Sequence, residues 1–154
     1  QQKTGQNSVR SDKNTIYLAG GTDTTRTKIS SKTYRFLFST NEVTELSKLA
    51  VGRYFPVLVN EGNNFFCVGG KIKGGASTKS VEWIDFGAPV DQQKWTEVAP
   101  MKHARFGHIA WVGKGKLYVM GGTSQDKGKP IEEVEVFDMA TKTWSIHPSK
   151  PKFI

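Results

Sequence analysis

Cysteine is nearly absent from this sequence, and long apolar runs are missing. Cys67 is the one cysteine in 154 residues, so no internal disulfide can form. The sequence has no Asn-x-Ser/Thr glycosylation site, and no segment approaches the ~18 apolar residues that a membrane-spanning helix requires. These absences favour a reducing, cytoplasmic location without membrane association over a secreted one.

Length and composition predict one folded domain. Hydrophobic residues make up 36% of the chain and aromatic residues 11%, which is enough apolar surface for a packed core. The first residue is Gln1 and no charged-then-apolar leader follows it. We therefore expect a processed or excerpted piece of a longer product.

An internal repeat organises the sequence. Three strand-like segments, residues 16–21, 65–70 and 117–122, end in a pair of glycines and align at offsets of 49 and 52 residues. Two arginines repeat at the same offset of 52, and two tryptophans are 49 residues apart. The repeated residues are Gly20, Gly21, Gly69, Gly70, Gly121, Gly122, Arg53, Arg105, Trp95 and Trp144.

Each copy predicts four short β-strands and no helix, because β-branched and aromatic residues fill the segments while Gly, Asn, Asp and Pro separate them. In the first copy, residues 15–19 and 33–38 are clear strands, residues 8–10 are a poor first strand, and Val43 stands where tryptophan is expected. The later copies predict strands at residues 53–60, 64–69, 79–86 and 94–98, and then at 105–113, 116–121, 131–138 and 143–146.

Four strands per copy, with a double glycine ending the second, resemble the kelch repeat. The string from Trp95 to Met101, followed by Arg105 and Gly107, is similar to that family's junction between blades. The resemblance implies an all-β fold, a kelch-type β-propeller with three four-stranded antiparallel blades at about residues 14–48, 49–100 and 101–154. The polar segment 1–13 is expected to be a linker, a frayed first strand or a strand that helps to close the ring.

Three blades are fewer than a closed propeller needs. The resemblance implies closure with about five to seven blades, and three leave two apolar sheet faces open. We therefore expect part of a larger ring, with further blades from the rest of the chain or from another subunit. The paired glycines should end an inner strand where side chains would collide, and Trp95 and Trp144 should pack between neighbouring blades.

The net charge of +8 is expected to concentrate on one end of the molecule. In a four-stranded blade, the loops after the second and fourth strands share one end, where we assign 14 basic residues opposed only by Asp23 and Asp126. This basic face predicts an acidic protein surface or peptide as the partner. The expected partner-binding residues are Arg53, Arg105, Lys71, Lys73, Arg26, Lys28, Lys127 and Lys129.

Arg53 and Arg105 lie where some kelch relatives hold acidic peptide side chains, which a guanidinium can pair with bidentately. The alternative is that each arginine holds its own loop by bonding backbone carbonyls. Nucleic acid is the second choice of partner, because the charged loops lack the interleaved aromatic residues of single-strand binders. A loop face that serves only solubility is the remaining alternative.

A search for catalytic residues predicts no enzyme, no metal site and no cofactor. His103, His108 and His147 lack metal-ligand spacing, and His108 is expected to be packed and hydrogen-bonded. Cys67 should be a buried, unreactive thiol. The tyrosines do not reproduce the copper site of the kelch oxidases, residues 69–75 lack the phosphate-loop pattern, and Glu133 and Glu135 should share a polar outer strand face.

The function that the resemblance implies is therefore a non-catalytic protein-interaction module. The junction is similar to the kelch halves of ubiquitin-ligase substrate adaptors, in which the propeller captures the substrate. It is equally similar to kelch scaffolds of the cytoskeleton, so a cytoskeletal or ciliary scaffold stays open as an alternative.

Overall fold

The computed structural model describes residues 7–10 (backbone only), 14–124 and 128–151. In this part of the chain, the strands form three four-stranded antiparallel sheets, and there is no α-helix. A short 3₁₀ helix, Val90–Gln92, lies between the third and fourth strands of the second sheet. This architecture confirms the predicted all-β fold with propeller-type blades.

Each sheet is one blade, and its strands pair in chain order. Blade one contains β1 (Asn7–Arg10), β2 (Thr15–Ala19), β3 (Thr33–Leu37) and β4 (Glu42–Leu46). Blade two contains β5 (Val57–Glu61), β6 (Asn64–Val68), β7 (Val81–Asp85) and β8 (Thr96–Glu97). Blade three contains β9 (Phe106–Gly113), β10 (Lys116–Thr123), β11 (Glu135–Asp138) and β12 (Thr143–Ile146).

The first strands of consecutive blades face each other, β1 against β5 and β5 against β9, so they form the inner side of the stack. An apolar cluster fills each boundary. At the first boundary, the cluster contains Tyr17, Ala19 and Leu49 together with Leu58, Phe65, Cys67, Ile84 and Trp95. At the second, it contains Val57, Phe66, Val68 and Val81 together with Met101, Val112, Leu117, Val119 and Phe137.

Blade two is covered on both faces by its neighbours, and its second strand is accordingly a continuous run of apolar residues. Phe65, Phe66, Cys67 and Val68 are all buried, although successive residues of a strand point to opposite faces. In blade three the alternation returns. Leu117 and Val119 are buried, whereas their neighbours Tyr118 and Met120 are only half-buried, because that face of the blade is open.

Several strands are shorter than predicted. β7 begins at Val81 rather than at residue 79, because the carbonyls of Thr78 and Lys79 accept bonds from Arg105 and Met101 in the following junction. β11 begins at Glu135 rather than at residue 131. The weakly predicted first strand does form, and it begins at Asn7, inside the segment that the pattern marks as polar.

Candidate functional site

The loops after the second strands and the junctions between blades lie at one end of the molecule, called here the loop face. The Arg53 amide donates to the Ser30 carbonyl (3.1 Å) and the Leu49 amide to Ser31 (2.8 Å), so the first junction runs beside the β2–β3 loop. The Arg105 amide makes the equivalent bond to Thr78 (3.2 Å). The junctions and second-strand loops that carry the predicted site residues are therefore neighbours.

Arg53 is fully buried in the first junction. Its Nη2 lies 2.5 Å from Oε2 of Glu82, which is also fully buried. The guanidinium donates further bonds to the carbonyl and the hydroxyl of Ser80, both at 3.0 Å. No part of this side chain is available to a partner in this structure.

Arg105 repeats the arrangement in the second junction. Its Nη2 lies 2.5 Å from Oε2 of the buried Glu135, and its Nη1 donates to the Gly121 carbonyl at 2.9 Å. Burial lowers the pKa of Arg105, and the hydrogen bond and charge of Glu135 oppose that shift. The Nε atom has no hydrogen-bonding partner among the described residues.

Two predictions are therefore wrong. Arg53 and Arg105 are not surface residues for an acidic partner, because each already holds a carboxylate of its own blade in the interior. Glu135 does not belong to a polar outer strand face, since its side chain points into that same junction. The arginines bond backbone carbonyls instead: Arg53 donates to Val51 of its own junction and to Ser80 of its own blade, and Arg105 donates to Gly121.

The buried glutamates also fix the backbone of the junctions. Glu82 accepts bonds from the amides of Ala50 (2.6 Å) and Val51 (3.3 Å). Glu135 accepts bonds from the amides of Lys102 and His103, the latter at 3.3 Å. Each carboxylate thus neutralises an arginine and satisfies two backbone donors, which is what a buried charge requires.

The paired glycines connect each junction to the preceding blade. The Gly21 amide donates to the Arg53 carbonyl (2.8 Å), and the Gly70 amide donates to the Arg105 carbonyl (2.9 Å). A Cβ atom on Gly20, which has φ of +70°, would lie 2.3 Å from the Arg53 carbonyl oxygen. Glycine is therefore required by the close approach as well as by the backbone conformation.

We call each of these sets an interblade lock: Arg53, Glu82 and Gly20-Gly21 form the first, and Arg105, Glu135 and Gly69-Gly70 the second. Sequence reasoning missed both glutamates. A signal was present, because Glu82 follows Arg53 by 29 residues and Glu135 follows Arg105 by 30. The near-equal spacing of an acidic residue after each repeated arginine would have indicated the pairs.

The other predicted basic residues lie at the loop face with different exposure. Arg26, Lys28, Lys73 and Lys129 are exposed. Lys71 is half-buried, and its Nζ lies 4.0 Å from the centre of the Phe106 ring. This cation–π contact leaves the ammonium group less available to a partner. Lys127, together with Asp126 and Lys152, lies outside the described residues.

A cleft opens at the loop face between blades one and two. It encloses a cavity of about 610 Å³, lined by Thr27, Lys28, Ile29, Ala50, Val51, Gly52, Ile72 and Lys73. Lys28 comes from the loop of blade one and Lys73 from that of blade two, so two cations flank a floor of small and apolar residues. The arrangement can accept a ligand that combines negative charge with apolar contact.

Asp23 shapes the blade-one side of this cleft. Its carboxylate accepts bonds from the amides of Thr27 (2.9 Å) and Lys28 (3.2 Å) and from the Thr25 hydroxyl (3.0 Å). Desolvation raises the pKa of Asp23, but these hydrogen bonds outweigh it, so the pKa lies below its ordinary value. The aspartate therefore organises the loop and opposes only part of its positive charge.

The loop face carries more acid than expected. Lys32 pairs with Glu45 at 2.9 Å, and Lys102 pairs with Glu133 at 3.1 Å. His103 also contacts Glu133, at 2.6 Å, and the bonds from His103 and Lys102 lower the pKa of Glu133 to about 2. The expectation that only Asp23 and Asp126 oppose the basic residues is wrong. The exposed positive charge covers a smaller part of the loop face than predicted.

The predicted packing role of the tryptophans is confirmed, with different degrees of burial. Trp95 is buried at the first boundary, and its indole donates to the Thr33 hydroxyl of blade one at 3.1 Å. Trp144 is half-buried, and its indole donates to the Ala99 carbonyl at 2.6 Å. Both side chains reach from one blade to the preceding blade or its junction.

The candidate catalytic groups are separate or buried. Within residues 14–124 and 128–151, no three His, Cys, Asp or Glu side chains are close enough to hold a metal ion. Cys67 is a buried free thiol, as predicted, and burial raises its pKa to about 12. In the same ranges, no helix has the length and apolar character needed to cross a membrane.

His108 is packed as predicted, and its ring lies against Gly69 of blade two. Burial and the neighbouring Arg105 charge lower the pKa of His108 to about 4, while a hydrogen bond with the Val68 backbone opposes the shift. The imidazole is therefore neutral near pH 7.

Stacked four-stranded blades joined through paired glycines define part of a β-propeller. A family model described as the Kelch motif matches residues 105–151, which correspond to blade three. This match supports the kelch-repeat resemblance that the repeats and junctions predict.

Curated relatives carry the same repeats. The chain is 33% identical to human Kelch-like protein 23 over 99 residues, which cover 60% of the chain and 17% of that protein. It is 24% identical to Kelch-like protein 36 of Bos taurus over 143 residues, or 92% of the chain and 23% of the relative. An F-box/kelch-repeat protein of Arabidopsis thaliana is 33% identical over 99 residues, covering 64% of the chain and 24% of that protein. The chain thus spans about a fifth of the length of these relatives.

Proposed function

We propose that the chain is a non-catalytic protein-interaction module whose loop face binds an acidic partner. The observation that carries the proposal is the cleft between blades one and two, where Lys28 and Lys73 flank an apolar floor. With Arg53 and Arg105 assigned to the interblade locks, these two lysines take over the role of contacting the partner. Arg26 and Lys129, which are also exposed, add to the positive potential of the same face.

The partner that fits this cleft is a peptide segment or loop with carboxylates beside an apolar side chain. Ile29, Val51 and Ile72 offer contact to the apolar group, and the lysines attract the carboxylates. Exposed lysines contribute mainly to encounter rate and orientation, so the apolar contact is needed for affinity. With such a partner, the chain would recognise a substrate as part of an adaptor or would serve as a contact within a scaffold.

The non-catalytic part of the proposal is supported by the kelch-repeat relatives, two of which are named Kelch-like proteins. A cytoplasmic location is part of the same proposal, because the buried thiol of Cys67 fits a reducing compartment.

The experiment starts from a random-peptide display library selected against the chain. Selected peptides are then titrated by fluorescence anisotropy against the wild type, the Lys28→Glu/Lys73→Glu variant, and the Lys94→Glu/Lys116→Glu variant. The last variant is matched, since it makes the same charge change with exposed lysines at the opposite end of the molecule. We expect acidic peptides with apolar positions, at least about a tenfold loss of affinity with the first variant, and little change with the second.

Two outcomes would contradict the proposal. If both double variants lose affinity equally, binding follows net charge rather than the cleft. If no acidic peptide is enriched, and a generic oligonucleotide binds the wild type with a steep dependence on salt, the loop face binds nucleic acid instead.

A further inference from the structure

Phe55 has a backbone conformation that large side chains rarely adopt. Its φ is +53°, in the left-handed region that favours glycine. The equivalent residue of blade three, two residues after the repeated arginine, is Gly107, with φ of +65°. In the first copy, Gly5 precedes β1 by two residues, as Phe55 precedes β5. The other two copies of the repeat therefore have glycine where blade two has an aromatic residue.

The surrounding backbone imposes this conformation on Phe55. On one side, Tyr54 and Lys71 exchange two backbone hydrogen bonds, of 2.9 and 2.7 Å. On the other side, the ring of Pro56 restricts the backbone of the residue before it. Gly70 approaches closely, because a Cβ atom on it would lie 2.8 Å from the Pro56 nitrogen and 3.0 Å from the Phe55 carbonyl carbon. Phe55 is thus held in a strained geometry.

Burial of the side chain does not account for the strain. Phe55 is 39% exposed, although the inner strand of blade two has the inner strands of blades one and three on its two sides. Its ring lies beside that of Tyr54, with 5.2 Å between the ring centres. Strained backbone persists mainly at positions where it serves a function. A fixed and partly exposed aromatic ring is typical of an anchor for a binding partner.

Phe55 lies at the loop face, close to the cleft. The Tyr54 side chain extends under the β6–β7 loop, since its hydroxyl lies 3.8 Å from where a Cβ atom on Gly75 would be. The same loop supplies Lys73 to the cleft. Gly52, which also lines the cleft, precedes Phe55 by three residues, a span of at most about 11 Å. One short extended peptide can therefore contact both places.

We propose that Phe55 is an aromatic anchor that binds an apolar side chain of the same acidic segment that occupies the cleft. This inference rests on the proposed function and adds a second apolar position to the partner. That position lies about three residues from the carboxylates, because an extended peptide advances about 3.4 Å per residue. Blade two supplies the anchor, since the equivalent positions of the other two copies are glycines.

The first test measures affinity for the acidic peptides that the display library yields, labelled with fluorescein and titrated by anisotropy. Phe55→Ala should weaken their binding at least about tenfold, the loss expected on truncating an aromatic anchor. Phe38→Ala is the matched control, because Phe38 is 47% exposed and follows a third strand, at the opposite end of the molecule. The control should bind the peptides as tightly as the wild type.

Thermal unfolding tests the strain separately from the contact. Phe55→Gly and Phe55→Ala both remove the ring, but glycine adopts a positive φ without strain. Phe55→Gly should therefore unfold at a temperature at least about 2 °C above that of Phe55→Ala. Ordinary positions show the reverse order, because glycine loses more chain entropy on folding. Both variants should lose peptide affinity to a similar extent.

Photocrosslinking tests for contact directly. The variant Phe55→p-benzoylphenylalanine, irradiated with a bound peptide, should form a crosslink that mass spectrometry locates at the second apolar position. The same replacement at Phe38 should give no crosslink.

Three outcomes would overturn the anchor. Peptides that need Lys28 and Lys73 but bind Phe55→Ala as tightly as the wild type would refute it and leave the proposed function standing. A lower unfolding temperature for Phe55→Gly than for Phe55→Ala would show that Phe55 is not strained. If the selection yields no acidic peptide, the proposed function fails and the anchor fails with it.

Discussion

Blades two and three each contain a buried arginine–glutamate pair, whereas the described residues of blade one contain none. The strand register makes the difference clear: Glu82 pairs with Cys67 and Glu135 with Val119, but the equivalent partner of Leu18 is Tyr34. Blade one still forms four paired strands. The ion pair is therefore not needed to make a blade.

What the pair provides is attachment of one blade to the next. Glu82 binds the junction amides of Ala50 and Val51, and the Arg53 carbonyl accepts a bond from Gly21 of blade one. Each pair occurs at a boundary between two blades of the chain, and within the described residues no blade precedes blade one. The difference between blade one and the other two blades therefore indicates that the arginines join consecutive blades.

The largest expected effect comes from removing the arginines. Arg53→Ala should destabilise the fold by about 3–5 kcal/mol, because it leaves the Glu82 carboxylate buried without its counter-ion. Arg105→Ala should cost a similar amount, and because the two locks are separate, the double variant should lose about the sum of both. Urea unfolding followed by tryptophan fluorescence measures these losses.

The control for the arginines is Lys32→Ala. It breaks the exposed Lys32–Glu45 pair and should not move the unfolding midpoint measurably. An Arg53→Ala variant that unfolds at the wild-type midpoint would show that the lock contributes nothing to joining the blades.

The sequence was sufficient to predict the blades but not the locks. Repeated glycine pairs and tryptophans have fixed offsets, so they indicate the strands β2, β6 and β10 and their period directly. The interior of a junction depends on which face of β7 and β11 each glutamate occupies. Alternation along a strand groups residues by face, but it does not say which face meets the neighbouring junction, so the pattern alone left both glutamates unassigned.

The loop face shows a similar limit. Chain order along a four-stranded blade places Lys28 and Lys73 at one end, and the structure brings both to one cleft. The ion pairs of Lys32 with Glu45 and of Lys102 with Glu133 join residues 13 and 31 positions apart, so they depend on side-chain reach and not on pattern.

The second prediction compares the two tryptophans across the two boundaries. Trp95→Ala should cost about 3–5 kcal/mol, the value typical of truncating a buried large aromatic side chain. Trp144→Ala should cost less, about 1–2 kcal/mol, because its ring is half-buried and less packing is lost. Thermal unfolding of both variants ranks them, and equal losses would mean that Trp144 is covered in solution as fully as Trp95.

A further difference is expected in how the two boundaries depend on pH. His108 lies in that boundary, and its pKa is lowered to about 4 from an ordinary value of 6.5, mainly by burial and then by Arg105. The position equivalent to His108 at the first boundary is Pro56, which does not titrate. Acid should therefore weaken the attachment of blade three before that of blade one.

The direction of this pH dependence follows from proton uptake on unfolding. Between pH 6.5 and about 4 the unfolded chain binds a proton at His108 that the folded chain does not, so stability falls as the pH falls and levels off below about 4. The loss is at most about 3 kcal/mol. Glu133 affects stability in a different pH range, because the stability that its lowered pKa contributes is lost only between pH 4.5 and about 2. Urea midpoints at intervals from pH 7.5 to 4 should decline for the wild type and much less for His108→Gln, and identical slopes would show that His108 gains its proton as easily in the folded chain as in the unfolded one.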